Sequence, residues 1–203
     1  MIVGAGLPKI YKMLSEEKSY SERLFCYKEI GSLTEDQSEK AIEIPAWQFG
    51  ISYTKDAAAR IHDVMKGYPF FIQQLCQVVY KNADEDEISL SDVNNSISEF
   101  YDLLDTGFFR VRYERCAESD KKFIFAMVQC DELPCTIANV AKHMNKGVSS
   151  VSTTRAQLIS KGIIYPVRYR ELDFTVPEFS GFIRRLDEYK NWSEEWEALL
   201  TKS

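Results

Sequence analysis

No apolar run in this sequence approaches the length needed to cross a bilayer, and the N-terminus lacks a basic region followed by an apolar stretch. Neither membrane insertion nor secretion is indicated, and a cytoplasmic location is expected. Histidine is scarce: His62 and His143 are the only two, and neither lies at ligand spacing from a second His or Cys. A metal site would have to be assembled from scattered carboxylates, and none is expected. The same scarcity leaves no Ser-His-Asp or Cys-His arrangement for nucleophilic catalysis. The cysteines (Cys26, Cys76, Cys116, Cys130, Cys135) are odd in number and form no CxxC pair, which argues against a disulfide framework or a zinc ribbon. They read as reduced thiols in or near the core.

Acidic residues are missing from the whole stretch Leu133 to Arg170, although it holds six cations: Lys142, Lys146, Arg155, Lys161, Arg168 and Arg170. The molecule as a whole has net charge -6, so everything outside that stretch sums to -12. A charge division this sharp is the electrostatic footprint of nucleic-acid binding. It matters more than the acidic total, because exposed charges act within a Debye length of about 8 Å. The alternative is a solvated cationic face, or a module that docks protein.

What is present elsewhere is a well-stocked core, with 45% hydrophobic residues and 13% aromatics in 203 residues. Met1 to Leu7 reads as a buried strand ending at Pro8, and Arg23 to Ile30 (RLFCYKEI) as a second. A buried strand needs neighbours on both sides. Partner strands are accordingly expected upstream, and the chain is expected to be a fragment or truncated form of a longer α/β protein. From Thr34 the pattern turns helical, with Thr34 as N-cap, Glu35 and Asp36 in the first turn, and Pro45 as the stop. A second helix covers residues 55–65 and ends at Gly67. Pro69 opens a third, mostly apolar one, the acidic run Asp84 to Glu87 forms a solvated loop, and Ser91 and Asp92 start a fourth that reaches Leu104. Short connections make these a four-helix unit.

Beyond the linker GFFRVRYERC, Ser119 caps a helix with Phe123, Ile124, Met127 and Val128 on one face. Ile137 to Met144 and Ser149 to Lys161 are two more helices, and Ile163 to Val167 and Leu172 to Val176 flank a turn holding Arg168 and Arg170. Three helices and a hairpin in this order predict a winged helix-turn-helix. The linker's aromatics and arginines suit either stacking on single strands or, more simply, packing between the two helical units. The final WSEEWEALL segment is acidic and amphipathic, with Trp192, Trp196, Leu199 and Leu200 along one stripe, and either docks on a partner or folds back.

The strings IVGAGLP, SERLF, GYPFFIQ, LDTGFFRVRY and VSTTRAQLISKGIIY resemble the C-terminal half of bacterial AAA+ ATPases, in the origin-recognition and signal-transduction NTPase branches. The resemblance covers nearly the whole chain. It implies a mainly α fold in which a small α/β remnant of a nucleotide-binding domain (1–31) precedes a helical AAA+ lid and linker (32–115). A C-terminal winged helix-turn-helix with a β-hairpin wing (116–190) and an acidic amphipathic tail (191–203) follow. There is no G-x-x-x-x-G-K-[ST] and no apolar strand ending in paired acids, so the phosphate cradle and the magnesium carboxylate of such an enzyme are missing from the sequence. The chain is expected to be no enzyme in isolation and to carry no cofactor; ATP and magnesium would belong to a full-length ATPase.

By the same resemblance, Gly4 and Gly6 occupy the strand end that senses the γ-phosphate, offering backbone amides in place of a polar side chain. Arg23 stands where the family often has an arginine finger; its alternative is a surface pair with Glu22 or Glu16. Tyr68 and Pro69 would line the adenine side of the nucleotide, or simply start a helix with an aromatic packed into the bundle. The lid helix lacks the arginine that many members aim at the phosphates from this position.

In a helix-turn-helix the third helix enters the major groove and the wing reaches the adjacent backbone. Ser149, Ser150, Ser152, Thr153, Thr154, Arg155 and Gln157 supply the polar surface of that helix, and Lys161, Arg168 and Arg170 continue the cationic track. Arg155 and Gln157 suit bidentate contact with bases, and the short hydroxyls suit phosphates. The leading expectation is a non-catalytic C-terminal portion of an AAA+ protein that binds double-stranded DNA under nucleotide control from a missing upstream domain. Two alternatives stand beside it: a scaffold that docks other subunits through the winged helix, and half of a complete ATPase whose P-loop lies upstream.

Overall fold

The computed structural model describes Cys26, Lys28 and residues 31–200, with side chains through Glu194. The strands expected at Met1 to Leu7 and Arg23 to Ile30, and with them most of the 1–31 segment, lie outside the described residues. The fold is mainly α, with two small sheets.

The first helix, α1 (Glu35–Trp47), starts from a reciprocal cap. The Gln37 amide donates to Thr34 Oγ1 at 3.3 Å and the Thr34 amide donates to Gln37 Oε1 at 3.0 Å. Contrary to expectation, Pro45 does not stop it and sits within the last turn. A proline there removes the N–H that would have bonded the Ala41 carbonyl. That carbonyl instead accepts from Gln73 Nε2 at 2.8 Å, so the loss is repaired from the neighbouring helix.

Two short strands, β1 (Ser52–Tyr53) and β2 (Glu87–Ile88), pair in parallel and bracket α2 (Lys55–Met65) and α3 (Pro69–Asn82). Between these helices Lys66 and Gly67 both take positive φ (50° and 71°). A Cβ on Gly67 would lie 2.2 Å from the Leu33 carbonyl oxygen, so glycine alone fits this close approach. The fourth helix, α4 (Leu90–Leu104), begins one residue earlier than expected, because Ser89 and Asp92 form its capping box. Ala57, Ile61, Met65, Phe71, Ile72, Leu75, Val79 and Val93 fill the centre of this bundle. Two polar side chains are fully buried in it: Ser38, hydrogen-bonded to His62 Nδ1 at 2.8 Å, and Ser96, which accepts from Asn82 Nδ2 at 3.5 Å.

The expected linker is helical. A π-turn (Asp105–Phe109) runs directly from α4 into α5 (Arg110–Tyr113). The wider turn brings Phe109 into full burial, with its ring 6.1 Å from Phe71 of the bundle and 5.6 and 5.4 Å from Phe179 and Phe182 of the C-terminal unit. Phe108 is capped by Arg112, whose guanidinium lies 3.7 Å from the ring centroid and donates to the Phe108 carbonyl at 3.0 Å. These aromatics pack between the units and are not offered for stacking on single strands.

The C-terminal unit comprises α6 (Glu118–Val128), β3 (Cys135–Thr136), α7 (Ile137–His143), α8 (Val148–Ser160), β4 (Ile164–Pro166) and β5 (Glu171–Phe174). Its antiparallel sheet has the order β3-β5-β4, with Cys135 opposite Leu172 and Tyr165 opposite Asp173. The caps differ from those expected. Ala117, not Ser119, precedes α6 and donates its amide to Asp120 Oδ2 at 3.0 Å; Gly147, not a serine, precedes α8.

Two further helices, α9 (Phe179–Arg185) and α10 (Asp187–Leu200), close the molecule. Arg185 clasps Asp105 of the π-turn through two bonds of 2.6 Å. Trp192 lies 5.6 Å from Phe125, so the start of the amphipathic tail folds back on the chain; the side chains of Trp196, Leu199 and Leu200 lie outside those described. Cys116, Cys130 and Cys135 are buried free thiols, Cys76 is half-buried and Cys26 exposed. Among the described residues no helix is long and apolar enough to cross a membrane.

Candidate nucleic-acid interface

Val151 and Leu158 lie two helical turns apart on α8 and are both buried, with Ile159 partly buried beside them. That apolar stripe fixes which face looks outward. Ser149, Ser150, Ser152, Thr153 and Gln157 are exposed, and Thr154 and Arg155 are half-buried. The Ser152 hydroxyl donates to the Val148 carbonyl at 2.9 Å, a local bond that consumes its donor. Gly162, at φ 69°, ends the helix and turns the chain into the hairpin.

The hairpin apex is residues 167–170. The Val167 amide donates to the Glu171 carbonyl and the Glu171 amide to the Arg168 carbonyl, both at 3.1 Å. Arg170 has φ 66°, and its carbonyl accepts from the Ile137 amide at 3.0 Å, which ties the apex to the start of α7. Between α8 and the apex lies a groove of about 360 Å³, lined by Ile137, Val148, Ser152, Arg155, Pro166, Arg168, Tyr169 and Arg170. Its lining includes three arginines and no acidic residue. Arginines converging on one hollow raise the local positive potential and present paired donors to an anion.

Lys161 is not part of this surface. Its ammonium pairs with the Asp120 carboxylate and donates to the Arg115 carbonyl at 3.2 Å. The bond to Asp120 holds the lysine above its ordinary range. Asp120 is fully buried, so Lys161 neutralises an internal charge and anchors the end of α8 to the start of α6.

Tyr68 and Pro69 face a different cavity. Tyr68 precedes α3 with its ring 4.7 Å from Phe71, and both residues line a space of about 610 Å³ between the bundle and the C-terminal sheet. Its other walls include Gly31, Phe70, Tyr165, Asp173 and Glu178. Burial raises the Asp173 carboxyl above the usual carboxylate range. The charged groups among the described lining residues are the carboxyls of Asp173 and Glu178. Gly4, Gly6 and Arg23 lie outside the described residues. No group of His, Cys, Asp and Glu among the described residues is arranged to hold a metal ion.

Sequence reasoning passed over Tyr169, which is 85% exposed at the apex with the Arg170 guanidinium 5.0 Å from its ring centroid. The signal was an aromatic residue between two arginines at a hairpin turn.

Residues 106–183 match a family model described as a domain of unknown function (DUF8462). That span begins inside the π-turn and ends in α9, so it takes in the groove. No curated protein matches the chain. Among the solved structures it is similar to a RuvB mutant from Thermotoga maritima, at 16% identity and a TM-score of 0.38, over 78% of this chain. The chain spans about half (51%) of the length of that structure. A likeness this shallow carries no argument about activity.

Proposed function

We propose that the chain is a non-catalytic, duplex-DNA-binding portion of an AAA+ type protein, with α8 in the major groove and the hairpin on the adjacent backbone. The observation that carries this reading is the acid-free groove holding Arg155, Arg168 and Arg170. The strings resembling AAA+ lids and the element order helix, strand, helix, helix, hairpin support it. Arg155 and Gln157 read base edges, Ser149, Ser150 and Thr153 meet phosphates, and Arg168 and Arg170 clamp the backbone. ATP and magnesium, in this reading, are held by another part of the protein, which governs the grip on DNA. ATP turnover by these 203 residues would sink the non-catalytic claim.

The test is fluorescence anisotropy of a labelled duplex titrated at two salt concentrations, with an Arg155→Glu/Arg168→Glu variant alongside. The expected result is binding that weakens steeply with salt and is lost in the variant. No binding to varied duplexes at low salt rules the reading out. A second reading, docking of a protein partner, draws on Trp47 and Phe49, which are 80% and 78% exposed at the end of α1. It predicts partner capture that survives the double charge reversal.

A further inference from the structure

Tyr169 is the most exposed large hydrophobic or aromatic side chain among the described residues. An aromatic ring left in water gives up the stabilisation that burial would bring. Its backbone, moreover, is held firmly. The two hydrogen bonds across the apex and the Ile137–Arg170 bond fix the turn, and the left-handed φ of Arg170 sets the direction in which the tip projects. Tyr169 is therefore an exposed aromatic ring on a hydrogen-bonded turn.

Its neighbours define what it meets. Tyr169 lines the same groove as Arg155, Arg168 and Arg170, so a phosphate held by those arginines brings its nucleotide beside the ring. Arg170 lies near the ring and Tyr169 remains mostly in solvent. Aromatic rings beside backbone-binding cations are the arrangement that receives unstacked bases. Within a continuous duplex each base is covered above and below by its neighbours, so a ring finds an open base face only at an end, a gap or a fork.

We propose that Tyr169 stacks on an unpaired or terminal base, so that the chain prefers duplex DNA carrying a single-stranded branch over continuous duplex. This rests on the DNA-binding reading and names the form of DNA that the site takes. The competing role for the side chain is a hydroxyl donated to a phosphate of intact duplex, and the two make opposite demands on Tyr169→Phe.

The experiment uses a forked DNA with 2-aminopurine at the first unpaired position, and a fully paired DNA of equal length. Both are titrated with the whole chain, Tyr169→Ala and Tyr169→Phe. Tyr169 buries little, so both variants should fold, and circular dichroism checks this. The expected result is that the fork binds about tenfold more tightly, the scale of one stacked base, with 2-aminopurine fluorescence changing on binding. Tyr169→Ala should remove the preference and the fluorescence change while still binding paired duplex, and Tyr169→Phe should keep both. Equal affinity of the whole chain for the two DNAs, or a preference that survives Tyr169→Ala, overturns the stacking role and leaves duplex binding standing. Paired-duplex affinity that falls as far in Tyr169→Phe as in Tyr169→Ala overturns it in favour of the hydroxyl. Binding of neither DNA at low salt overturns both readings together.

Discussion

Replacing Phe109 by alanine tests whether the bundle and the C-terminal unit are one cooperative body. The ring is fully buried and meets Phe108, Phe182, Phe179 and Phe71 at centroid distances of 5.2, 5.4, 5.6 and 6.1 Å. Removing it forfeits the transfer energy of a buried phenylalanine, about 2–3 kcal/mol. Four aromatic contacts at about 0.5 kcal/mol each, the low end of their range, add about 2 kcal/mol. The total, about 4–5 kcal/mol, agrees with the ~3–5 kcal/mol typical of truncating a core phenylalanine. In a chain of this size that corresponds to a fall in Tm of roughly 8–20 °C. Urea and thermal unfolding followed by circular dichroism measure it, with Phe108→Ala as the control. Phe108 is only partly buried, so its loss should be clearly smaller. A Phe109→Ala loss below about 1 kcal/mol, or one equal to that of the control, would refute the view that this ring joins the two units.

Three other variants probe polar links. Lys161→Met leaves the buried Asp120 carboxylate with the Ala117 amide and should cost about 1–2 kcal/mol in urea unfolding, with Asp120→Asn/Lys161→Met recovering part of it; the lysine is partly exposed, which keeps the loss below that of a fully buried pair. Asp105→Asn breaks the two-pronged bond to Arg185 and should lower stability by about 1 kcal/mol, an effect that Arg185→Ala in the same chain does not increase much. Burial raises Asp173 above its ordinary value of 3.8, so the native state holds its proton more tightly than the unfolded chain does. The stabilisation linked to that proton is full below 3.8 and is lost as pH rises through the native value. Asp173→Asn, whose amide oxygen still accepts from Phe174, should therefore be more stable than the parent near pH 7 and no more stable near pH 3 in thermal melts.

Helices α2 and α3 were legible because their ends carry local chemistry, Gly67 and Pro69, whereas α4 was placed one residue late because its capping box starts at Ser89 and not Ser91. Pro45 misled for the opposite reason, since the group that satisfies Ala41 is Gln73, on another helix. The stretch GFFRVRY read as a linker because a π-turn shifts the phase of the apolar pattern, and no 3.6-residue template keeps Phe109 in register with α4. Strand β3 is two residues long and exists only through pairing with β5. At the candidate site, charge segregation picked out a set of cations and could not separate its members. Arg155, Arg168 and Arg170 line the groove, whereas Lys161 turns to Asp120, a partner 41 residues away in sequence. Tyr169 was passed over because the exposure of one aromatic at a turn is set by where the turn projects.

The helical run from Leu90 to Tyr113 has a mechanical consequence. It continues through the π-turn for roughly 35 Å at about 1.5 Å per residue. It behaves as a strut, with its first half embedded in the bundle and its second clamped by Arg185 and the ring of Phe182. The bundle and the C-terminal unit are thus joined by helix that is continuous as far as Tyr113, and no long irregular linker lies between them.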